Sequence, residues 1–251
     1  MSIDALRDLI PAYGKDISLN LSSLANETVL NDQQKWGCFL ASAHAIGVAP
    51  VVKAIEAQAA TVLSPEALTA AKAAAAIMGM NNIYYRSLHL RKNHEYTTIP
   101  ARLRMNVLAN PGVDKMDFEL WSTAVSAING CGMCLDSHEA ELKKHGVPTQ
   151  NIQAALRIAA VVNAASRVIA AEAALAAYET VRNPATAKVV LTNRTDPPDT
   201  ILREVWQRSG GKPFGRIEDV ITATELEAIS ERYKKVAGFD RETLKARPSF
   251  V

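Results

Sequence analysis

Apolar residues recur at helical spacing through the first 178 residues, and polar, glycine- or proline-containing breaks separate the repeats. Asn31 or Asp32 provides an N-cap for one helix. That helix carries its apolar side chains on one side, at Trp36, Phe39, Leu40 and Ala43. Ser64-Pro65-Glu66 opens a longer helix, because it supplies a capping serine, a proline at the first helical position and an early acid. The pattern predicts an all-α fold.

A second group of helices is predicted after Asp114, which starts a helix that runs to Asn129-Gly130. A new helix begins at about Cys131. The turn Gly146–Thr149 follows, and an alanine-rich helix then continues to about Tyr178. Alanine has the highest intrinsic helix propensity, so this composition favours closely packed helices.

The two groups of helices are similar to each other in sequence. Trp36 and Trp121 are separated by 85 positions, and this offset holds without gaps over more than forty positions. At the same offset the first group has Gln34 where the second has Glu119, and it lacks the cysteines and histidine described below. We interpret the pattern as an internal duplication in which the first copy is scaffold and the second carries the chemistry. Chance similarity between alanine-rich helices is the alternative.

The sequence changes character after Tyr178. Asn183-Pro184 is predicted as a loop and Lys188–Leu191 as a candidate short strand. Two amphipathic helices are expected further on, at Thr200–Arg208 and Thr222–Ala237. A packing element, an oligomer contact and a partner-binding arm all remain open as roles for this region.

Length and composition limit the class of protein. We divide the 251 residues into a helical domain, residues 1–178, and a C-terminal extension of unknown role, residues 179–251. The net charge of +2 is spread along the chain, which argues against nucleic-acid binding. Three cysteines are too few for a disulfide-stapled secreted scaffold. Charged residues interrupt the most apolar stretch and the N-terminus lacks a signal-peptide pattern, so we expect a cytoplasmic protein without a membrane span.

The reactive side chains concentrate in one twenty-residue window. Cys131 and Cys134 form a Cys-x-x-Cys pair, and His138 follows four residues later. On a helix these three lie within about a 60° arc of one face. Backbone N–H groups at the helix start favour a thiolate, and an imidazole moves thiol protons near neutral pH. Glu119 orients the imidazole if its helix packs against the next one. The set predicts a thiol redox centre.

Other interpretations of these residues remain. The two cysteines could be core residues, as we expect for Cys38, which lies on an apolar helix face with no nearby histidine. A zinc site would need a fourth ligand, which Glu119 could supply, but a second short-spaced cysteine pair is missing. Glu119 by itself could be a surface acid. We therefore expect no bound metal.

Several long runs are more specific than the Cys-x-x-Cys pair. They are Asn20–Ser23, Ala75–Asn82, Tyr85-Arg86, Leu103–Asn106, Ala109–Gly112, Phe118–Ser122 and Ala124–Cys131. With these runs, about residues 1–178 resemble the AhpD family of alkyl hydroperoxidases, within the carboxymuconolactone-decarboxylase-like superfamily. The family pattern of a glutamate, a Cys-x-x-Cys pair and a histidine is met by Glu119, Cys131, Cys134 and His138.

The resemblance implies an all-α, often homotrimeric fold that reduces organic hydroperoxides. By this resemblance, Cys134 attacks the peroxide and becomes a sulfenic acid. Cys131 first donates a proton and then reacts with that sulfenic acid to form a Cys131–Cys134 disulfide. Glu119 and His138 look like the proton relay. No bound cofactor is implied. Such enzymes take electrons from dihydrolipoyl groups on a lipoylated acyltransferase and reduce an AhpC-type peroxiredoxin partner.

Two features depart from the family. Its best-known members carry a histidine just before the second cysteine, where this chain has Met133. The residues after Tyr178 are also absent from the usual family. The leading hypothesis is a lipoyl-dependent alkyl hydroperoxide reductase in antioxidant defence. The alternatives are a general disulfide reductase or decarboxylase of the same superfamily, and a non-enzymatic helical oligomerisation module.

Overall fold

The structure is a computed structural model that describes residues 3–195 and 199–237, together with residues 242 and 245. These residues form helices and no strand, which confirms the all-α fold class. The first helices are Ile3–Arg7 (α1), Lys15–Ala25 (α2), Asp32–Ile46 (α3), Ala49–Ala59 (α4), Pro65–His89 (α5) and Asn106–Ala109 (α6). The later helices are Lys115–Ile128 (α7), Gly132–Lys144 (α8), Thr149–Thr195 (α9), Thr200–Ser209 (α10) and Ala223–Ala237 (α11).

The predicted N-caps are present. The Asn31 side chain accepts a hydrogen bond from the Gln34 backbone N–H, and the Gln34 side chain accepts one from the Asn31 N–H, which together make a capping box. The Ser64 hydroxyl accepts from the Ala67 N–H at the start of α5. Asp114 likewise caps α7. These side chains satisfy N–H groups that have no partner inside a helix, so the local sequence fixes where each helix begins.

Helix α3 is the centre of the N-terminal unit, where it packs against α4, α5 and α7. Its residues from Lys35 to Ala43 are all buried. A Cβ atom at Gly37 would overlap the indole of Trp121, so the glycine is what lets that ring lie on the α3 backbone. The Trp121 Nε1–H also donates a hydrogen bond of 3.2 Å to the Gln34 carbonyl oxygen. This contact docks α7, which carries Glu119, onto the core.

The order of the helices supports the internal duplication. Helices α3, α4 and the start of α5 correspond to α7, α8 and the start of α9 at the 85-residue offset, to within about three residues at each boundary. The side-chain contacts have diverged. Glu56 forms a salt bridge with Lys72, whereas the equivalent Glu141 pairs with Lys115.

The chain forms two compact units, residues 1–172 and residues 173–251, and α9 contains the division between them. The predicted end of the alanine-rich helix near Tyr178 was wrong, because α9 continues to Thr195. The predicted loop at Asn183-Pro184 and the candidate strand at Lys188–Leu191 are both helical. Pro184 has no backbone N–H and so removes one hydrogen bond from the helix, which nonetheless continues on both sides of it.

Part of α9, Thr149–Leu191, is long and apolar enough by length and composition to cross a membrane. Within its most apolar window, 33% of the residues are buried in the structure. Buried core helices of proteins that cross no membrane meet the same criteria, so this property alone does not define a membrane segment.

The second unit contains α10 and α11, which begin close to their predicted starts. The two helices contact each other, and Arg208 of α10 forms a salt bridge of 3.0 Å with Glu225 of α11. Glu225 also accepts hydrogen bonds from the backbone and hydroxyl of Thr222, which caps α11. These hydrogen bonds, followed by the guanidinium, lower the pKa of Glu225 to about 2.

Candidate active site

The turn between α7 and α8 places Cys131. Gly130 has φ +65°, in the left-handed region that glycine adopts without strain. Its N–H donates to the Ala127 carbonyl, and the Cys131 N–H donates to the Ser126 carbonyl, both at 3.1 Å. These are the hydrogen bonds of a Schellman motif, which ends α7 and turns the chain. Cys131 is consequently the N-cap of α8, one position before the first helical residue, and the predicted position in the first turn is corrected.

Polar side chains of α5 hold this turn in place. The Asn82 amide, fully buried, donates to the Ser126 hydroxyl at 2.8 Å and accepts from the Asn129 amide at 3.0 Å. The Arg86 guanidinium donates to the Asn129 carbonyl oxygen at the end of α7. Because all these groups are partnered, α5 fixes the position of the turn and of the cysteine that follows it.

The two cysteines of the motif form a disulfide, with Cα atoms 5.3 Å apart. Their environments differ. Cys131 is completely buried, whereas Cys134 is 7% exposed and lines a pocket. Cys134 also lies in the first turn of α8, where unpartnered backbone N–H groups favour a thiolate once the disulfide is reduced. Cys134 is therefore the sulfur that a molecule in the pocket would meet.

Glu119 and His138 are brought together by the packing of α7 against α8. Glu119 Oε2 lies 2.6 Å from His138 Nδ1, and both side chains are buried. The hydrogen bond assigns a proton to Nδ1 and fixes the orientation of the ring. Glu119 is therefore buried, and the alternative that it is a surface acid was wrong.

The other imidazole nitrogen, Nε2, makes no hydrogen bond with Cys131 or Cys134 in the described part of the structure. His138 Nε2 lies 3.3 Å from the Met78 sulfur instead. A thioether is only a weak acceptor, so Nε2 can bond to it only as a donor. His138 and Cys134 share the wall of the same pocket.

That pocket has a volume of about 330 Å³. Its wall is mainly apolar and includes three thioethers. The lining residues are Met78, Asn81, Tyr85, Met105, Leu108, Met133, Cys134, Ser137 and His138. The sequence analysis used the α5 residues Met78, Asn81 and Tyr85 only for the family resemblance and did not predict them as site residues. Their spacing of i, i+3 and i+7 places them on one helix face and was the available signal.

Cys38 lies in the core of α3, as expected. Burial, followed by the charge of Asp117, raises the pKa of its thiol above the usual range. Cys38 is therefore a protonated core residue. Within the part of the chain that the structure describes, no group of three or more His, Cys, Asp or Glu side chains is arranged to hold a metal ion.

Known proteins similar to this chain agree on a family. The model of the carboxymuconolactone decarboxylase family matches residues 94–177. "Alkyl hydroperoxide reductase AhpD" of Hyphomonas neptunium is 71% identical over 177 residues, which cover 70% of this chain and 98% of that protein. The proteins of the same name from Maricaulis maris and Streptomyces coelicolor are 70% identical over 172 residues and 56% identical over 177 residues. These alignments cover 68% and 70% of this chain, and 99% of each relative. The chain belongs to the AhpD family of alkyl hydroperoxide reductases.

Proposed function

We propose that the chain is an antioxidant, peroxide-reducing oxidoreductase of the cytoplasm that uses the Cys131–Cys134 pair. One observation carries this proposal: Cys134 lines a pocket that also contains His138, whereas its partner Cys131 is completely buried. A peroxide-reactive thiol next to a second, resolving thiol is the arrangement expected of a redox-active cysteine pair.

In the proposed reaction, the Cys134 thiolate attacks the terminal oxygen of an organic hydroperoxide. An S–O bond forms and the O–O bond breaks, so the sulfur is oxidised to a sulfenic acid and the alkoxide leaves as an alcohol after taking one proton. The Cys131 thiolate then attacks the Cys134 sulfur, and the disulfide forms as water is released. In the disulfide the Cα atoms are 5.3 Å apart, which is within the usual range for such a bond.

Glu119 and His138 supply and remove the protons in this proposal, and Glu119→Gln tests their role. Glutamine keeps the size of the side chain and removes its charge, so the group that faces His138 Nδ1 can no longer accept and return a proton. We expect kcat/KM for t-butyl hydroperoxide to fall about 100-fold, the usual contribution of general acid–base catalysis. The measurement is the pH profile of kcat/KM, which should also change shape.

Asp117→Asn is the matched control, because Asp117 is a second buried carboxylate on α7. It accepts hydrogen bonds from Gln33 and Gln34 and lies outside the pocket. Its substitution should lower the melting temperature and leave the shape of the pH profile unchanged. Equal pH profiles for wild type and Glu119→Gln would remove Glu119 from the relay.

The proposed reductant is a dihydrolipoyl group of a lipoylated acyltransferase, with an AhpC-type peroxiredoxin as the protein that receives electrons and a homotrimer as the working form. The apolar, thioether-lined wall of the pocket suits the hydrocarbon chain of a lipoyl arm and the alkyl group of a hydroperoxide. Met133 is 39% exposed at the pocket, so the position that holds a histidine in the best-known relatives contributes an apolar contact here.

Chemical trapping tests the proposed function directly. The reduced protein is treated with one equivalent of t-butyl hydroperoxide and dimedone, and the adduct is located by mass spectrometry. We expect a dimedone adduct on Cys134, and continuous peroxide consumption when dihydrolipoamide is added. A protein that consumes no peroxide and still reduces small disulfides would instead be a general disulfide reductase of this superfamily.

A further inference from the structure

Asn81 lines the same pocket as Cys134, and its side-chain oxygen has no hydrogen-bond partner in the described structure. The residue is 4% exposed, and its side-chain oxygen is buried without a hydrogen-bond partner. The next residue is a direct contrast, because the Asn82 amide bonds both Ser126 and Asn129. Buried polar groups without partners are uncommon in folded proteins, and they call for an explanation.

The other polar groups in the pocket wall are already engaged or solvated. His138 is bound to Glu119 and contacts Met78. The Tyr85 hydroxyl is directed to the Met105 sulfur, at 4.0 Å. Ser137 is exposed to water. Among the described lining residues, Asn81 is therefore the one whose side-chain oxygen is buried without a hydrogen-bond partner.

The geometry points to Asn81 as a binding residue for the peroxide group, and we propose this role on the basis of the function proposed above. An amide side chain offers one acceptor and two donors. Its carbonyl oxygen accepts the O–H of the terminal peroxide oxygen, which the Cys134 thiolate attacks. Its N–H donates to the other peroxide oxygen, which leaves as an alkoxide and takes one proton to become the alcohol.

This role fits the position of Asn81 within the pocket. Negative charge develops on the leaving oxygen as the O–O bond breaks, and a donor held in a mainly apolar wall stabilises that charge. Asn81 lies one turn from Met78 on α5, and Met78 contacts the ring of His138. Asn81 is thus held on the α5 side of the pocket, next to the residue that contacts the imidazole, while α8 carries both Cys134 and His138.

Asn81→Leu tests the proposal, because leucine keeps the approximate shape of the side chain and removes its hydrogen bonds. Two rates are measured on the reduced protein at one pH: oxidation by t-butyl hydroperoxide and alkylation of Cys134 by iodoacetamide. We expect oxidation to slow about 100-fold, as when one oxyanion-hole donor is lost. Alkylation should stay within about twofold, because it needs the thiolate and no peroxide-binding group.

Ser42→Ala is the matched control. The Ser42 hydroxyl in α3 is also buried without a partner, but it lies outside this pocket. Removing it should leave both rates unchanged. Ser42→Ala shows the effect of removing an unpartnered buried polar group alone. Any further loss in Asn81→Leu is then the loss of a group that binds the peroxide.

Each outcome decides the proposal. An unchanged oxidation rate in Asn81→Leu would overturn it, and so would an equal fall in both rates, since Asn81 would then act on the thiol or the fold. If the leucine variant does not fold, Asn81→Ala is judged by the same two rates. A wild-type protein that is alkylated but does not react with peroxide refutes the proposed function and this inference together. A reactive wild type with an equally reactive Asn81→Leu refutes this inference alone.

Discussion

Cys134→Ser should abolish hydroperoxide reduction, lowering the turnover of t-butyl hydroperoxide by about 10⁴-fold or more, as expected when a covalent nucleophile is removed. Serine stays un-ionised near neutral pH and forms no sulfenic acid, so the first chemical step has no substitute. The measurement is steady-state peroxide consumption with dihydrolipoamide as reductant, compared with the wild type. Equal rates in the two proteins would contradict the assignment of Cys134.

The other two cysteines provide matched controls for this prediction. Cys131→Ser should still consume one equivalent of peroxide and then stop, because Cys134 is oxidised but no disulfide forms. Cys38→Ala should keep full turnover, since burial and the charge of Asp117 raise the pKa of the Cys38 thiol and keep it protonated in the core. A first turnover that survives in Cys134→Ser and is lost in Cys131→Ser would reverse the two roles.

Gly37→Ala should destabilise the protein by about 3 kcal/mol or more, at the upper end of the usual cost of overpacking a core. The added Cβ overlaps the Trp121 indole, which packs directly on the α3 backbone. Both residues belong to the closely packed centre of the N-terminal unit, so the ring has little room to move. Thermal unfolding followed by circular dichroism should show the midpoint lowered by about 6–12 °C.

Gly79→Ala is the control for this second prediction. Gly79 lies inside α5, and a Cβ there would meet no atom within 4 Å. The same substitution should therefore stabilise the helix by about 0.5–1 kcal/mol, the difference in helix propensity between the two residues.

A double mutant locates the cause of the Gly37→Ala effect. Adding Trp121→Phe to Gly37→Ala should recover part of the lost stability, because the smaller ring makes room for the Cβ. Additive effects of the two substitutions would show that the indole is not the source of the destabilisation. A Gly37→Ala protein as stable as the wild type would contradict the packing described here.

Local sequence accounts for most of the helical framework. The starts of α3, α5 and α7 follow from capping residues whose hydrogen bonds involve neighbours only two or three positions away, and the structure contains them where they are expected. The Asn129-Gly130 pair likewise predicts the end of α7, because a glycine in the left-handed conformation closes the helix. These hydrogen bonds depend on a few adjacent residues, so they can be predicted from the sequence alone.

Local rules failed at the end of α9. A proline and a polar segment predicted a break near Tyr178, yet the helix passes through Pro184. A proline inside a helix usually costs about 3 kcal/mol, and the Thr- and Val-containing residues around Pro184 do not explain by their own propensity why the helix continues. The preference of a single residue did not decide the outcome there.

The sequence alone determined the helical class of this protein, its family resemblance, and the proposed reactive set Glu119, Cys131, Cys134 and His138. Only the tertiary structure decided how these groups are arranged: Glu119 faces His138, Cys131 is completely buried, and Cys134 lines a pocket together with Asn81. These relations depend on the packing of α5, α7 and α8, and their residues are far apart in the chain. Shape complementarity between helices, such as Gly37 against Trp121, sets that packing, and it is a property of the folded pair rather than of either segment.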